Sequence, residues 1–291
     1  MKRVFIGGCS RSGTTFLQEF LASHSRILTF PETGFFLRAF GMRGWMLPWA
    51  RMGLSLGKER KALSRLPGQL ELDPDQHPPL PSRRISLEAS VQEAVAFLDT
   101  LAEGRGKDVW LEKTPRHVLY ASRIRRLVSG STFIHMVRDG RAVVASMVDR
   151  ARRFPGEFPR QQNPAYGIRQ WNRSLEATQR AMKEPGHVLV LYEGLATHPE
   201  KTLRSLCETL ELDFERSMMD RTGPRTFVRE GEEWKDRRKG PIAPAASKFS
   251  DLFSKRNREQ IENRLKLRYF EEIRDRILAD PGSVLVGRKV S

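Results

Sequence analysis

The segment from Gly7 to Thr15 constrains the fold of this chain more than any other. It has the sequence GGCSRSGTT, follows the short apolar run from Val4 to Ile6, and precedes apolar residues at helical spacing. A glycine-rich loop between a strand and a helix directs successive backbone N–H groups, and the positive end of the helix dipole, at one point. The segment therefore predicts an α/β fold with an anion-binding loop after its first strand.

This loop differs from an ATP-binding loop at one position. Gly8 and Gly13 have the spacing of the G-x-x-x-x-G-K-[ST] motif, but Thr14 occupies the position of the lysine. The missing lysine, which would contact the phosphates of ATP, argues against an ATPase, and Arg11 supplies a cation within the loop instead. A P-loop kinase or NTPase, and a turn that binds nothing, remain alternatives at this point.

Short apolar runs alternate with helical patterns along the chain, which is typical of a parallel sheet flanked by helices. The predicted strands are Val4 to Gly8, Ile27 to Phe30, Val109 to Glu112, Thr132 to Val137 and Val188 to Tyr192. The predicted helices are Thr14 to Ser23, Leu87 to Glu103, Arg116 to Val128, Gly140 to Arg150, Ala165 to Met182, Pro199 to Leu210 and Arg256 to Leu278. The predicted fold class is thus α/β, with a central parallel sheet like that of the P-loop NTPases.

The 291 residues are predicted to form a single domain, 1–291, with two distinctive regions. Residues 33–107 form a helical and loop insertion, and residues 221–291 form a basic C-terminal region. The insertion is rich in aromatic residues and methionine, at Phe35, Phe36, Phe40, Trp45, Met46 and Trp49. These side chains are candidates for an acceptor pocket or a membrane contact, and packing on the sheet explains them equally well.

Charge and composition narrow the partners and the location. The net charge of +16 favours polyanions, acidic surfaces or a multiply charged nucleotide. No nucleic acid is expected, because no zinc finger, RNA-recognition signature or basic zipper is visible; a peripheral membrane contact stays open. Two cysteines, Cys9 and Cys207, make neither a disulfide framework nor a metal cluster. The strand that begins near Met1 leaves no room for a signal peptide, so a cytoplasmic protein is expected.

Four separated segments carry residues suited to chemistry, and most of them end a strong strand signal. They are Gly8 to Thr15, Pro31-Glu32-Thr33, Glu112-Lys113-Thr114-Pro115, and Arg138-Asp139-Gly140-Arg141 with Ser146. Ligands of open α/β sheets bind at the carboxyl ends of the strands. We therefore expect the four segments to converge.

Together these segments resemble the sulfotransferases that use 3′-phosphoadenosine 5′-phosphosulfate. The resemblance implies a loop around the 5′-phosphosulfate, formed by Arg11, Ser12, Gly13, Thr14 and Thr15. It also implies that Arg138 and Ser146, which are eight residues apart as in the family, hold the 3′-phosphate. The segment Tyr192-Glu193-Gly194-Leu195 is similar to the family's Tyr-Glu-Asp-Leu, whose tyrosine lies near the adenine.

Two further positions resemble catalytic residues of subgroups within that family. Glu32 has the position of the base of the tyrosylprotein sulfotransferases, and Lys113 that of a lysine near the bridging oxygen in carbohydrate sulfotransferases. Arg11 would join them in stabilising charge. A helix N-terminal charge remains the alternative for Glu32, and a surface ion pair with Glu112 the alternative for Lys113.

The chain also departs from the family pattern. Of the late Arg-Lys-Gly-x-x-Gly-Asp-Trp-Lys segment of the cytosolic enzymes, only Arg238-Lys239-Gly240 remains, so a contact of Arg238 with the nucleotide stays open. Their catalytic histidine has no clear counterpart. His24 and His117 are weaker alternatives for the base, and His135, inside a strand, is predicted to be a packed core residue.

The sequence therefore predicts an enzyme, a sulfotransferase that moves a sulfuryl group from 3′-phosphoadenosine 5′-phosphosulfate to an acceptor hydroxyl without a metal. A carbohydrate, a lipid and a tyrosyl or phenolic group are the candidate acceptors. The alternatives are a P-loop nucleotide kinase or NTPase, and a non-catalytic nucleotide-binding protein with a basic surface. Neither the acceptor nor the oligomeric state can be deduced from the sequence.

Overall fold

The structure is a computed structural model that describes residues 1–40, 47–54, 60–70, 78–82, 85–221, 247–280 and 282–287. Several residues singled out in the sequence lie outside these ranges. They are Trp45, Met46, Arg238, Lys239 and Gly240.

The described residues alternate strands and helices, as the apolar patterns predict. The strands are β1 (Lys2–Gly8), β2 (Ile27–Phe30), β3 (Val109–Lys113), β4 (Thr132–Val137), β5 (His187–Leu191) and β6 (Leu285–Val286). The helices are α1 (Thr14–Leu21), α2 (Phe35–Ala39), α3 (Leu47–Arg51), α4 (Arg60–Leu63), α5 (Leu66–Gln69), α6 (Leu87–Glu103), α7 (Ala121–Leu127), α8 (Gly140–Arg153), α9 (Pro164–Ala181), α10 (Tyr192–Thr197), α11 (Pro199–Thr209), α12 (Ser247–Leu252), α13 (Lys255–Glu262) and α14 (Leu267–Leu278). Short 3₁₀ helices cover Pro115–Tyr120, Pro159–Gln162 and Arg216–Asp220.

The described strands form one mixed sheet in the order β2-β3-β1-β4-β5-β6. The pairs β1 with β3 and β2 with β3 are parallel, and Phe30 of β2 lies opposite Glu112 of β3. The strand β6 differs from the predicted all-parallel sheet, because it pairs with β5 in the antiparallel direction. The fold class is therefore α/β with a mostly parallel sheet, as predicted.

Two helical predictions need revision at their breaks. The predicted helix from Arg116 to Val128 begins as a 3₁₀ turn after Pro115 and becomes α-helical only at Ala121. The predicted C-terminal helix is two helices, α13 and α14, and the buried Leu265 lies in the turn between them. Neither break carries an internal glycine or proline that would mark it in the sequence.

The chain divides into two compact units. The first comprises Met1–Gly7, Gln18–Phe133 and Glu215–Asp236, and the second comprises Gly8–Leu17, Ile134–Phe214 and Arg237–Ser291. The prediction of a single domain stays a prediction.

Aromatic side chains build the core of the first unit. The rings of Phe5 and Trp110 meet edge to face with their centroids 5.2 Å apart, and Phe5 also contacts Phe36 and Phe133. The Trp110 indole nitrogen donates a hydrogen bond of 2.7 Å to Asp99 on α6, which also pairs with Arg3. The start of β3 is thereby fixed to α6.

Trp171 and Phe270 lie in the core of the second unit, with β4, β5, α8, α9 and the C-terminal helices packed around them. The thiol of Cys9 belongs to this core, and Cys207 is buried as well, as expected of unreactive thiols. None of the helices in the described part of the chain combines the length and the apolar character that a membrane span needs.

Candidate active site

The glycine-rich loop lies between β1 and α1, as the sequence predicts. Gly8 lies against β4, where an added Cβ would come within 2.4 Å of the Met136 carbonyl oxygen. Gly13 has a φ of 91°, and a Cβ there would meet the ring of Tyr192 at 2.4 Å. Only glycine fits both constraints at Gly13, so the loop requires it immediately before the helix.

Arg11 is held in the loop by Ser146 of α8 and by Arg138, which directly follows β4. Its φ of 74° lies in the left-handed region, which is uncommon for a residue with a Cβ. Its Nε donates a hydrogen bond of 3.0 Å to Ser146 Oγ, and its carbonyl oxygen accepts one of 3.1 Å from Arg138. Two residues assigned by resemblance to the 3′-phosphate thus contact the arginine assigned to the 5′-phosphosulfate.

Arg138 follows the last residue of β4, and two contacts position it in addition to its hydrogen bond to Arg11. Its guanidinium lies 4.0 Å from the centroid of the Tyr192 ring, in a cation–π contact. Its carbonyl oxygen accepts a hydrogen bond of 2.9 Å from the Trp171 indole nitrogen. Its buried Nε has no hydrogen-bond partner among the described residues, and an unpaired donor of this kind suits an anionic ligand.

Glu193 supports the contacts around Arg138. The sequence indicated Glu193 only as part of the Tyr192-Glu193-Gly194-Leu195 motif, with no role of its own. Asp139 caps α8 by accepting a hydrogen bond of 2.8 Å from the Arg141 backbone, and the Asp139 N–H donates one of 3.0 Å to Glu193. Burial raises the pKa of Glu193, against the effect of the Asp139 N–H, which stabilises the ionised form. The segment after β5 therefore fixes the start of α8.

The second unit brings together almost all the predicted donor-binding residues. The contacts above join Arg11, Gly13, Arg138, Ser146 and Tyr192, and Ser12 and Thr14 are buried in the same loop. Two guanidinium groups and a helix N-terminus are donors that phosphate groups take in proteins, so these residues fit a ligand that carries phosphate groups. Among the described residues, no group of three or more His, Cys, Asp or Glu side chains could hold a metal ion.

Glu32 and Lys113 form an ion pair in the first unit. The register that aligns Phe30 with Glu112 brings the ends of β2 and β3 side by side, and Lys113 Nζ donates to Glu32 Oε1 at 2.5 Å. The Lys113 side chain is 1% exposed and that of Glu32 is 29% exposed. The alternative of a surface ion pair between Lys113 and Glu112 is therefore wrong.

Glu112 instead occupies a buried network of its own. Its Oε1 accepts hydrogen bonds from the Thr33 backbone at 3.0 Å, from the Thr33 hydroxyl at 2.8 Å and from the Thr114 hydroxyl at 2.6 Å. Its Oε2 lies 3.0 Å from His117 Nδ1. Burial alone would raise the pKa of Glu112, but the interactions with His117 and the two threonines outweigh it and lower the pKa below its ordinary value.

The remaining histidines differ in their surroundings. His135 is buried between Thr178 and His187, 3.0 Å from each, which confirms its place in the core. His24 is also buried, and its Nδ1 accepts a hydrogen bond from the Arg26 backbone. His117 is buried against Glu112 and Phe36.

Comparison of the sequence with known proteins identifies the family to which the chain is similar. The profile of the sulfotransferase family matches residues 3–216. Protein-tyrosine sulfotransferase 2 of Gallus gallus is 26% identical over 75% of this chain and 53% of its own length. Protein-tyrosine sulfotransferase 1 of Danio rerio is 27% identical over 75% of this chain and 56% of its own length.

A solved structure shares the fold. The sulfotransferase domain from the curacin biosynthetic pathway has a TM-score of 0.56 and 21% identity, and the alignment covers 89% of this chain and 95% of that one. The chain spans about half the length of the first two relatives it matches. Because the family profile matches well over half of the chain, the chain belongs to the sulfotransferase family.

Proposed function

We propose that this protein transfers a sulfuryl group from 3′-phosphoadenosine 5′-phosphosulfate to an acceptor hydroxyl. The observation that carries the proposal is the contact of Arg11 with both Ser146 and Arg138. The family resemblance assigns these residues to two different phosphates of the donor. ATP, the substrate of a kinase or NTPase, has no 3′-phosphate, and Thr14 replaces the lysine that such an enzyme would need.

The proposed donor-binding residues lie in the second unit. Arg11, Ser12, Gly13, Thr14 and Thr15 bind the 5′-phosphosulfate through the loop amides and the Arg11 guanidinium. Arg138 and Ser146 bind the 3′-phosphate, and Tyr192 lies near the adenine. Arg238, outside the described residues, stays a candidate for a further contact.

The proposed catalytic residues are Glu32, Lys113 and Arg11. Glu32 takes the proton of the acceptor hydroxyl as that oxygen forms its bond to sulfur. Lys113 and Arg11 stabilise the negative charge that develops on the 5′-phosphate as the sulfur–oxygen bond to it breaks. The donor supplies the sulfuryl group, and the products are the sulfated acceptor and 3′-phosphoadenosine 5′-phosphate. Positioning and charge stabilisation suffice for such a transfer, by analogy with phosphoryl transfer.

A protein tyrosine is the first acceptor to test. The relatives in chicken and zebrafish are named protein-tyrosine sulfotransferases, and Glu32 has the position of the base in that subgroup. Carbohydrate and lipid hydroxyls remain the other acceptors of the proposal, since the position of Lys113 resembles the carbohydrate enzymes.

The proposal predicts that turnover depends on the Glu32 carboxylate. Transfer of ³⁵S from labelled donor to tyrosine peptides, oligosaccharides and lipids is measured for the wild type and for Glu32→Gln. We expect Glu32→Gln to lower kcat about 100-fold or more, as loss of a general base does, with the affinity for 3′-phosphoadenosine 5′-phosphate unchanged. Glu88→Gln, an exposed carboxylate at the start of α6, is the matched control. Full activity of Glu32→Gln would remove Glu32 as the base.

A further inference from the structure

Glu112 links the two residues that follow the proposed catalytic pair. Thr33 follows Glu32, and Thr114 follows Lys113. Both threonine hydroxyls donate to the same oxygen, Glu112 Oε1, at 2.8 and 2.6 Å. The Thr33 backbone N–H donates to that oxygen as well, at 3.0 Å. One carboxylate oxygen therefore holds together the ends of two separate segments.

Further hydrogen bonds tighten the same connection. The Thr114 hydroxyl accepts a hydrogen bond of 3.2 Å from the Gly34 backbone, and the Thr33 hydroxyl accepts one of 3.1 Å from the Phe35 backbone. The start of α2 is thereby fixed to the end of β3. Each hydroxyl both donates to Glu112 and accepts from the backbone, so its rotation is restricted.

His117 occupies the other oxygen of the carboxylate. Glu112 Oε2 is only an acceptor when ionised, so we assign the shared proton to His117 Nδ1. The buried His117 Nε2 has no hydrogen-bond partner among the described residues. Four hydrogen bonds thus converge on Glu112, and they explain how a carboxylate that is 2% exposed stays ionised.

We propose that Glu112 is a positioning residue, which keeps Glu32 in contact with Lys113 by holding Thr33 and Thr114 on one oxygen. The inference rests on the proposed function for its catalytic consequence. It concerns the first unit alone, because all of these residues belong to that unit. The ion pair by itself leaves Glu32 less constrained than Lys113, since the Glu32 side chain is 29% exposed whereas that of Lys113 is buried.

The decisive variants change one hydroxyl. Thr33→Val keeps the shape of the side chain but removes its hydrogen bond to Glu112, whereas Thr33→Ser keeps that hydrogen bond. Glu112→Leu is the complementary change, because it removes the acceptor of both threonine hydroxyls. Asp99→Asn is the matched control: Asp99 also binds a β3 residue, Trp110, but at the opposite end of that strand.

The first measurement does not depend on activity. The rate at which an amine reagent such as acetic anhydride labels Lys113 is followed by mass spectrometry, with the exposed Lys201 as the internal reference. We expect labelling of Lys113 to rise at least fivefold in Thr33→Val and Glu112→Leu. It should stay at the wild-type rate in Thr33→Ser and in Asp99→Asn, including when Asp99→Asn lowers Tm as much as Thr33→Val does.

The second measurement connects the network to turnover. We expect Thr33→Val and Glu112→Leu to lower kcat by 10-fold or more, with unchanged affinity for 3′-phosphoadenosine 5′-phosphate, and Thr33→Ser to restore kcat. Wild-type labelling and kcat in Thr33→Val would overturn the inference while leaving sulfuryl transfer intact. If the wild type transfers no sulfuryl group at all, the proposed function fails, and labelling still shows whether Glu112 holds the ion pair.

Discussion

At the scale of single residues, Arg138 is the side chain that contacts most of the proposed donor-binding residues. It stacks on Tyr192, donates to the Arg11 carbonyl and leaves its buried Nε without a partner among the described residues. A guanidinium held in this way is already oriented before a phosphate binds. The loss of conformational freedom on binding is therefore small, and the hydrogen bonds formed contribute most of their strength to affinity.

Replacing Arg138 should therefore weaken nucleotide binding strongly. Charge-assisted hydrogen bonds contribute about 1.5 to 3 kcal/mol each, so we expect Arg138→Ala to lower the affinity for 3′-phosphoadenosine 5′-phosphate about 10- to 100-fold in calorimetric titration. Arg153→Ala is the matched control, because Arg153 is an arginine of the same unit whose side chain is 48% exposed on α8. Equal affinity of the wild type and Arg138→Ala would contradict the assignment of the 3′-phosphate.

Glu112 shows why residue roles of this kind are hard to read from a sequence. The run Val-Trp-Leu-Glu correctly predicted a buried strand, and β3, which extends one residue further to Lys113, is buried along its whole length. An acidic residue inside such a strand must have partners, and that signal was available. The identity of the partners was not, because Thr33 lies 79 residues away and only the register of β2 and β3 brings it there.

At the scale of secondary structure elements, adjacent strands β4 and β5 carry a buried histidine pair. His135 Nε2 and His187 Nδ1 are 3.0 Å apart, and His135 Nδ1 is paired with the Thr178 hydroxyl. Burial, and secondarily the neighbouring His187, lowers the pKa of His135 well below 6.5. The folded protein therefore holds His135 neutral under conditions in which the unfolded chain protonates it.

This pair makes the stability of the protein depend on pH in a defined direction. Below pH 6.5 the unfolded chain binds a proton at His135 that the folded protein does not, so the free energy of unfolding falls as the pH falls. Above pH 6.5 this effect does not reduce the free energy of unfolding. Below pH 6.5 it reduces the free energy of unfolding by roughly 1 kcal/mol per pH unit. Urea unfolding at pH 7.5, 6.5 and 5.5 measures it.

His135→Gln is the comparison for that prediction, because its amide can still pair with Thr178 and His187 but does not titrate. For each protein, the free energy of unfolding is plotted against pH. The difference between the slopes of the wild type and His135→Gln isolates His135 from carboxylates such as Glu193, whose raised pKa acts in the opposite direction. Parallel slopes for the wild type and His135→Gln would show that His135 is not the group responsible.

The bounds of helices and strands with a clear hydrophobic pattern were predicted well, and those of elements without such a pattern were not. The bounds of β2, β4 and α6 are those predicted, since each is an uninterrupted apolar or amphipathic run. The strand β6 was missed because Leu285–Val286 is too short to show any alternation. The break between α13 and α14 was missed because no glycine or proline marks it, and the polar run on both sides is helical in character.

At the scale of the whole molecule, the sequence predicted the fold class and the family because both depend on local motifs at strand ends. The apolar runs of β1 and β4 are of a kind that any α/β protein would show. The residue types that follow them, in the loop after β1 and at Arg138, are what indicated the family. The division into two compact units could not be predicted, since it depends on which elements pack together. The acceptor likewise depends on surfaces that no motif specifies.

The net charge of +16 adds a whole-molecule contribution to any anion bound by this protein. A simple electrostatic attraction would favour the ligand with the most negative charge and would weaken steeply with salt. The proposed donor site makes a different prediction: affinity should depend on the arrangement of the phosphates that Arg11, Arg138 and Ser146 are proposed to bind, rather than on total charge.

Calorimetric titration of the protein with 3′-phosphoadenosine 5′-phosphate, 5′-AMP and ATP with Mg²⁺, at 150 mM salt, distinguishes the proposed 3′-phosphate site from general attraction of anions. We expect 3′-phosphoadenosine 5′-phosphate to bind most tightly, and 5′-AMP, which lacks only the 3′-phosphate, to bind at least about 10-fold more weakly. Equal binding of the two adenosine nucleotides, or tighter binding of ATP with Mg²⁺, would contradict it.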